Sequence, residues 1–113
     1  IDASILTKMN DRGQIKGCLI DGPLALDNAL SEEAAKHKGI SSPVAGKADI
    51  LLMPNIEAGN IMYKTLSYTT NCKLGAILVG TSAPVVLTSR ADSHESKMNA
   101  IALAALVAEL SKK

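Results

Sequence analysis

Residues 89–96 read SRADSHES and put a hydroxyl, a guanidinium, two carboxylates and an imidazole on neighbouring positions. Arg90 can grip a phosphate through two N–H donors. The Ser89-Arg90 pair follows an apolar run and precedes a long helical stretch. Free backbone N–H groups at a helix start favour negative charge, so the cluster is a natural place to hold an anion. A plainer account stands beside this one. Ser93 caps the last helix with Ser96 at its third position, and Arg90 and Asp92 form an exposed ion pair of little energetic value.

The elements around the cluster must position it. Residues 75–79 form one apolar run, and Gly80, Thr81 and Ser82 break it. Residues 84–88 are apolar and β-branched, as expected of a buried strand. The link is too short for a helical crossover, so the two runs are antiparallel or one bent strand. Open α/β sheets hold ligands at the carboxyl ends of their strands. Residues 93–113 then predict a helix that is apolar almost all round from Met98 to Leu110. A helix without a clean polar face is covered on several sides. Between Ile50 and Ser89 only Glu57, Lys64 and Lys73 are charged, so this stretch lies inside or faces another chain.

Upstream, residues 1–10 carry apolar residues at helical spacing. Residues 14–20 predict a strand ended by the turn Asp21-Gly22-Pro23. Residues 24–31 are a short helix or an ordered loop. Ser31 caps a helix with Glu32 and Glu33 in its first turn and Lys36, His37 and Lys38 near its end. His37 is therefore read as a C-terminal helix charge. Residues 48–53 predict a second buried strand, and residues 57–66 a helix with Tyr63 among its packing residues. Gly59 in its first turn allows close backbone approach. The alternation favours an α/β layered domain with a mixed sheet.

With 113 residues the chain fits one domain. Its core must be aliphatic, since it has no Phe or Trp and only Tyr63 and Tyr68. A net charge of +1 and the shortage of aromatics argue against nucleic acid as a partner. No signal-peptide pattern or bilayer-length apolar run is present, which argues against a membrane. Cys18 and Cys72 lack metal-ligand spacing and are expected to be buried thiols in a reducing compartment, that is, cytoplasmic. No metal-ligand cluster is apparent, so no metal is expected. The opening IDASILTKMN has no Met and begins inside an amphipathic pattern, which suggests a piece of a longer protein.

Three segments, IDGPLALDNA (20–29), VAGKADILLMPNIEAGNIMYKTL (44–66) and PVVLTSRADS (84–93), closely resemble the C-terminal part of the phosphate acyltransferases. These are the phosphotransacetylases and phosphotransbutyrylases. The SRADS form looks more like the phosphotransbutyrylase branch. The resemblance covers most of the chain from about residue 15 onward, in the family's order.

The resemblance implies a fold related to isocitrate and isopropylmalate dehydrogenases, with two α/β domains and a cleft between them. Residues 1–113 would be the C-terminal portion, most of the N-terminal domain being absent. It implies reversible acyl transfer between coenzyme A and inorganic phosphate, with butyryl or branched short-chain groups favoured over acetyl. Coenzyme A is then a co-substrate, and no cofactor is bound permanently. Arg90 matches the family arginine that contacts phosphate, and Ser89 the serine that hydrogen-bonds the reacting group. The family's aspartate base lies seven residues after that serine, where this chain has Ser96. Glu95 and Asp92 are the nearby acids for that role, although neighbours on a helix point in different directions. Phosphate or water is the alternative proton acceptor.

Asp21 ends a strand and is expected to face the cleft, or simply to make a turn. Asn55, Gly59 and Asn60 lie at a strand-to-helix passage suited to a cofactor contact, or to tight packing with Asn55 as cap. A homodimer through the low-charge surface is expected. The rival class is a non-catalytic dimerisation or scaffold fragment, inactive without its N-terminal domain. No GxGxxG fingerprint supports a dehydrogenase.

Overall fold

The computed structural model describes residues 1–111. Five helices follow in order: α1 (Asp2–Asp11), α2 (Leu26–Leu30), α3 (Glu32–His37), α4 (Ile56–Thr69) and α5 (His94–Leu110). The chain divides into two compact units, Ile1–Gly59 and Asn60–Lys113.

In the first unit, α1 is followed by a loop gathered around one side chain. Asn10 Nδ2 donates to the carbonyls of Ile15 and Cys18, each at 3.0 Å, and Asn10 Oδ1 accepts from Ile20 N–H at 2.9 Å. The strand expected at residues 14–20 is therefore absent. Gly13 and Gly17, at φ 70° and 83°, turn the backbone out of the extended region, and Asn10 takes the main-chain partners that a sheet neighbour would supply.

Helices α2 and α3 are joined at Ser31, whose hydroxyl accepts from Ala34 N–H at 3.2 Å. A loop lies against them through Gly46 N–H to the Asn28 carbonyl (2.8 Å) and Ala48 N–H to the Ala29 carbonyl (3.2 Å). Gly46 is irreplaceable on two counts. Its φ is 79°, and an added Cβ would stand 2.6 Å from the backbone of Glu32. The fully covered apolar residues here are all small: Ala29, Ala35 and Ala45.

In the second unit, residues 74–75 lie on α5. Asn99 Nδ2 donates to the Leu74 carbonyl at 3.1 Å, and Gly75 leaves no room for a Cβ without crowding Asn99 to 3.1 Å. Leu78 and Val85 form a single antiparallel bridge, Leu78 N–H to the Val85 carbonyl at 2.9 Å. The two apolar runs are thus antiparallel where they meet. Among the described residues no longer ladder forms.

The segment expected as a strand at 48–53 also lacks a ladder. It keeps a strand-like alternation at its end: Leu51 and Met53 are half-buried, and Leu52 between them is 79% exposed. Its outward face is apolar too, as in strands covered on both sides.

Other expectations are corrected. Both cysteines are exposed free thiols. Cys18 lies in the Asn10 loop and Cys72 just beyond α4. The low-charge stretch is not interior among the described residues: Ile50, Ile56, Val79 and Leu87 are exposed, as are Ile101, Leu106 and Leu110 of α5. Gly59 is not crowded either, because an added Cβ would meet Met53 Cβ at an ordinary 3.7 Å.

Candidate functional site

The Ser89–Asp92 turn is held from both ends. Asp92 N–H donates to the Ser89 carbonyl at 3.1 Å, and Ser89 N–H donates back to Asp92 Oδ2 at 2.8 Å. The other carboxylate oxygen, Oδ1, accepts from the Tyr63 hydroxyl at 3.0 Å. Tyr63 lies in the part of α4 that belongs to the same unit, so one acid ties the turn to that helical segment. Burial, and then the Asp92 carboxylate, push the Tyr63 phenol above its ordinary value. The phenol is therefore a neutral donor at physiological pH.

Helix α5 begins immediately after the turn. Ser93 Oγ accepts from Ser96 N–H at 3.1 Å, and the two hydroxyls lie 3.0 Å apart. The capping account of Ser93 and Ser96 is therefore correct in its geometry. The ion pair that accompanied it is not formed. Asp92 is engaged by Tyr63 and Ser89, and Arg90 is exposed with no ion-pair partner among the described residues. A free guanidinium beside a hydroxyl at the start of a long helix is equipped to take an anion. Ser89 Oγ itself is only loosely held, by Ala91 N–H at 3.4 Å.

Glu95, one residue into α5, pairs with Lys73 at 3.0 Å in an exposed setting. The structure thus gathers Ser89, Arg90 and Asp92 on one turn, with Glu95 on the helix behind it. Asn60 is an exposed residue of α4 in the same unit.

Asp21, Asn55 and Gly59 belong to the first unit. Asp21 is half-buried beside Gly22, whose carbonyl accepts from Thr7 Oγ1 at 3.3 Å. Asn55 Oδ1 accepts from Ala58 N–H at 2.9 Å, the capping role weighed for it, and its carbonyl accepts from Gly59 N–H at 3.1 Å. His37 sits at the end of α3, 3.9 Å from Glu33, as a helix-end residue. Two shallow recesses, of about 360 and 390 Å³, are lined by α3 with Asp27 and by residues 77–84 with the end of α5. Neither includes Ser89 or Arg90. Among the described residues no group of His, Cys, Asp and Glu is placed to hold a metal ion.

Tyr63 is the residue that sequence reasoning assigned only to packing. The available signal was weak: one of two aromatic residues, with a polar end that seeks a partner when half-buried.

Residues 2–105 match the family described as "Phosphate acetyl/butaryl transferase". The chain is 79% identical over 108 residues to a phosphate butyryltransferase of Clostridium acetobutylicum, covering 96% of this chain and 36% of the relative. It is 62% identical over 108 residues to a phosphate acetyltransferase of Thermotoga maritima, covering 96% of this chain and 37% of the relative. It also superposes on the crystal structure of a branched-chain phosphotransacylase from Enterococcus faecalis V583 with a TM-score of 0.74. That match has 45% identity and covers 90% of this chain and 38% of the other. The chain thus spans a little over a third of the length of these relatives, and it belongs to the phosphate acetyl/butyryl transferase family.

Proposed function

We propose that this chain is the C-terminal portion of a cytoplasmic two-domain enzyme that reversibly transfers an acyl group between coenzyme A and inorganic phosphate. Butyryl or branched short-chain groups are the favoured acyl substrates. The observation that carries the reading is the exposed Arg90, with no ion-pair partner among the described residues, beside Ser89 on a braced turn at the start of α5. Family membership and the 79% identity to a phosphate butyryltransferase support it. In the direction of thioester synthesis, the coenzyme A thiol loses its proton and its sulfur attacks the carbonyl carbon of an acyl phosphate. A carbon–sulfur bond forms, the carbon–oxygen bond to phosphorus breaks, and phosphate leaves with the electron pair. Arg90 balances charge on the phosphate and Ser89 donates to the reacting group. Glu95, or the phosphate itself, accepts the thiol proton.

Asp21, Asn55, Gly59 and Asn60 are each proposed as a coenzyme A contact of the full-length enzyme. The mixed α/β sheet belongs to the same proposal, with the two-sided apolar character of residues 48–53 and the antiparallel Leu78–Val85 bridge as its support. We expect the 113-residue chain by itself to be inactive, since cleft residues of the full-length enzyme would lie outside it; it spans little over a third of its relatives.

The test is thioester absorbance with acetyl-, butyryl- and branched-acyl coenzyme A plus phosphate, using the full-length protein. Arg90→Ala is expected to lower kcat/KM at least about a hundredfold through the loss of a charged phosphate contact. Glu95→Gln with full turnover removes Glu95 as the acceptor and leaves phosphate or water. Absence of acyl transfer from every thioester refutes the reading.

A further inference from the structure

We propose that Tyr63 and Asp92 form a positioning strut for the phosphate-binding turn, and that Asp92 is not a proton acceptor in the reaction. The inference rests on the acyl-transfer reading and deepens its site.

Both oxygens of Asp92 are engaged by donors of its own unit: Oδ1 by the Tyr63 hydroxyl at 3.0 Å and Oδ2 by Ser89 N–H at 2.8 Å. The Ser89 carbonyl in turn accepts from Asp92 N–H at 3.1 Å, which closes a ring around the turn. Between the two ends of that ring sits Arg90, with its guanidinium free among the described residues. The same carboxylate that withholds itself from Arg90 fixes the main chain that carries it. Tyr63, a member of α4, anchors the carboxylate to a helix rather than to the turn alone. A base must present a lone pair to the proton it takes. Each oxygen of Asp92 keeps a second lone pair, but the donor on each fixes the carboxylate to the turn and to α4, which suits it to orientation. Orientation has leverage, since small misplacements of a binding group cost large factors in rate.

The roles separate experimentally because asparagine can replace the strut but not a base. In Asp92→Asn the amide oxygen accepts from Ser89 N–H, and the amide N–H₂ donates to the Tyr63 oxygen. Four forms of the full-length protein are compared: the parent, Tyr63→Phe, Asp92→Asn and Asp92→Ala. The readouts are acyl-transfer kinetics, equilibrium titration with inorganic phosphate, and thermal midpoint. Tyr63→Phe and Asp92→Ala are expected to raise KM and Kd for phosphate by about tenfold, the scale of one oriented hydrogen bond to a charged group, with KM for the thioester unchanged. Asp92→Asn is expected to keep kcat within about threefold of the parent.

A kcat for Asp92→Asn as low as that for Asp92→Ala overturns the proposal, and so does a phosphate affinity that Tyr63→Phe leaves unmoved. Equal rises in both KM values alongside a lower midpoint mark a role in folding alone and also overturn it. A parent that binds phosphate without transferring acyl groups refutes the acyl-transfer reading only. In that event the phosphate titration of Tyr63→Phe decides the strut by itself.

Discussion

Tyr63 gives the site a titration of its own. Burial first, and then the Asp92 carboxylate, favour the protonated phenol in the folded chain. Lys64, whose Nζ lies 5.3 Å from the ring centroid, and Tyr68 are the other ionisable groups about it. The folded value lies above the unfolded one, so this stabilisation is fully present below about pH 10 and is lost as pH rises through the raised value. Alkaline unfolding of the full-length protein is expected to show that loss, and Tyr63→Phe to abolish it. An identical alkaline limb in both proteins counts against the assignment. At this scale the sequence was legible wherever the partners were close along the chain. Ser31, Asn55 and Ser93 cap helices whose third residues follow directly. The Tyr63–Asp92 contact joins residues 29 apart, and no local spacing encodes it.

The helices were readable because their signals are local and periodic. The segments read as strands fared differently, for reasons that differ among them. At 14–20 Gly17 and the preceding Gly13, both with positive φ, and the three hydrogen bonds of Asn10 outweigh the apolar pattern. At 48–53 and 75–88 the pattern is strand-like, but a ladder needs neighbours that a single segment cannot supply.

Gly59 separates packing from ligand contact within α4. A Cβ there meets Met53 at 3.7 Å, so alanine fits, and Gly59→Ala is expected to stabilise the fold by about 0.5–1 kcal/mol. If the Gly59 backbone approaches coenzyme A, the same variant of the full-length protein is expected to raise KM for the thioester while its thermal midpoint rises. A higher midpoint with an unchanged KM removes Gly59 from the cofactor contacts.

Among the described residues the buried ones are Ala29, Ala35, Ala45, Ala100 and Ala104, with Asn28 as the buried polar one. Alanine burial supplies little hydrophobic stabilisation, while Ile50 is 85% exposed, Val79 81% and Leu87 78%. Large apolar side chains left outward in this number mark surfaces meant to be covered. The low charge between Ile50 and Ser89 made that legible in the sequence, although not which chain provides the cover. We expect the full-length protein to sediment as a homodimer. A monomer at micromolar concentration and physiological salt would contradict this.

The bridge between Leu78 and Val85 has a consequence for handling the chain by itself. One rung joins two segments rich in Ile, Leu and Val, and among the described residues no other main-chain hydrogen bond joins them, so a partner strand could find an open edge here. Such an edge is a template on which identical chains add strand by strand. Expressed alone, this polypeptide is therefore prone to aggregate, and its solubility will depend on whatever caps residues 75–88.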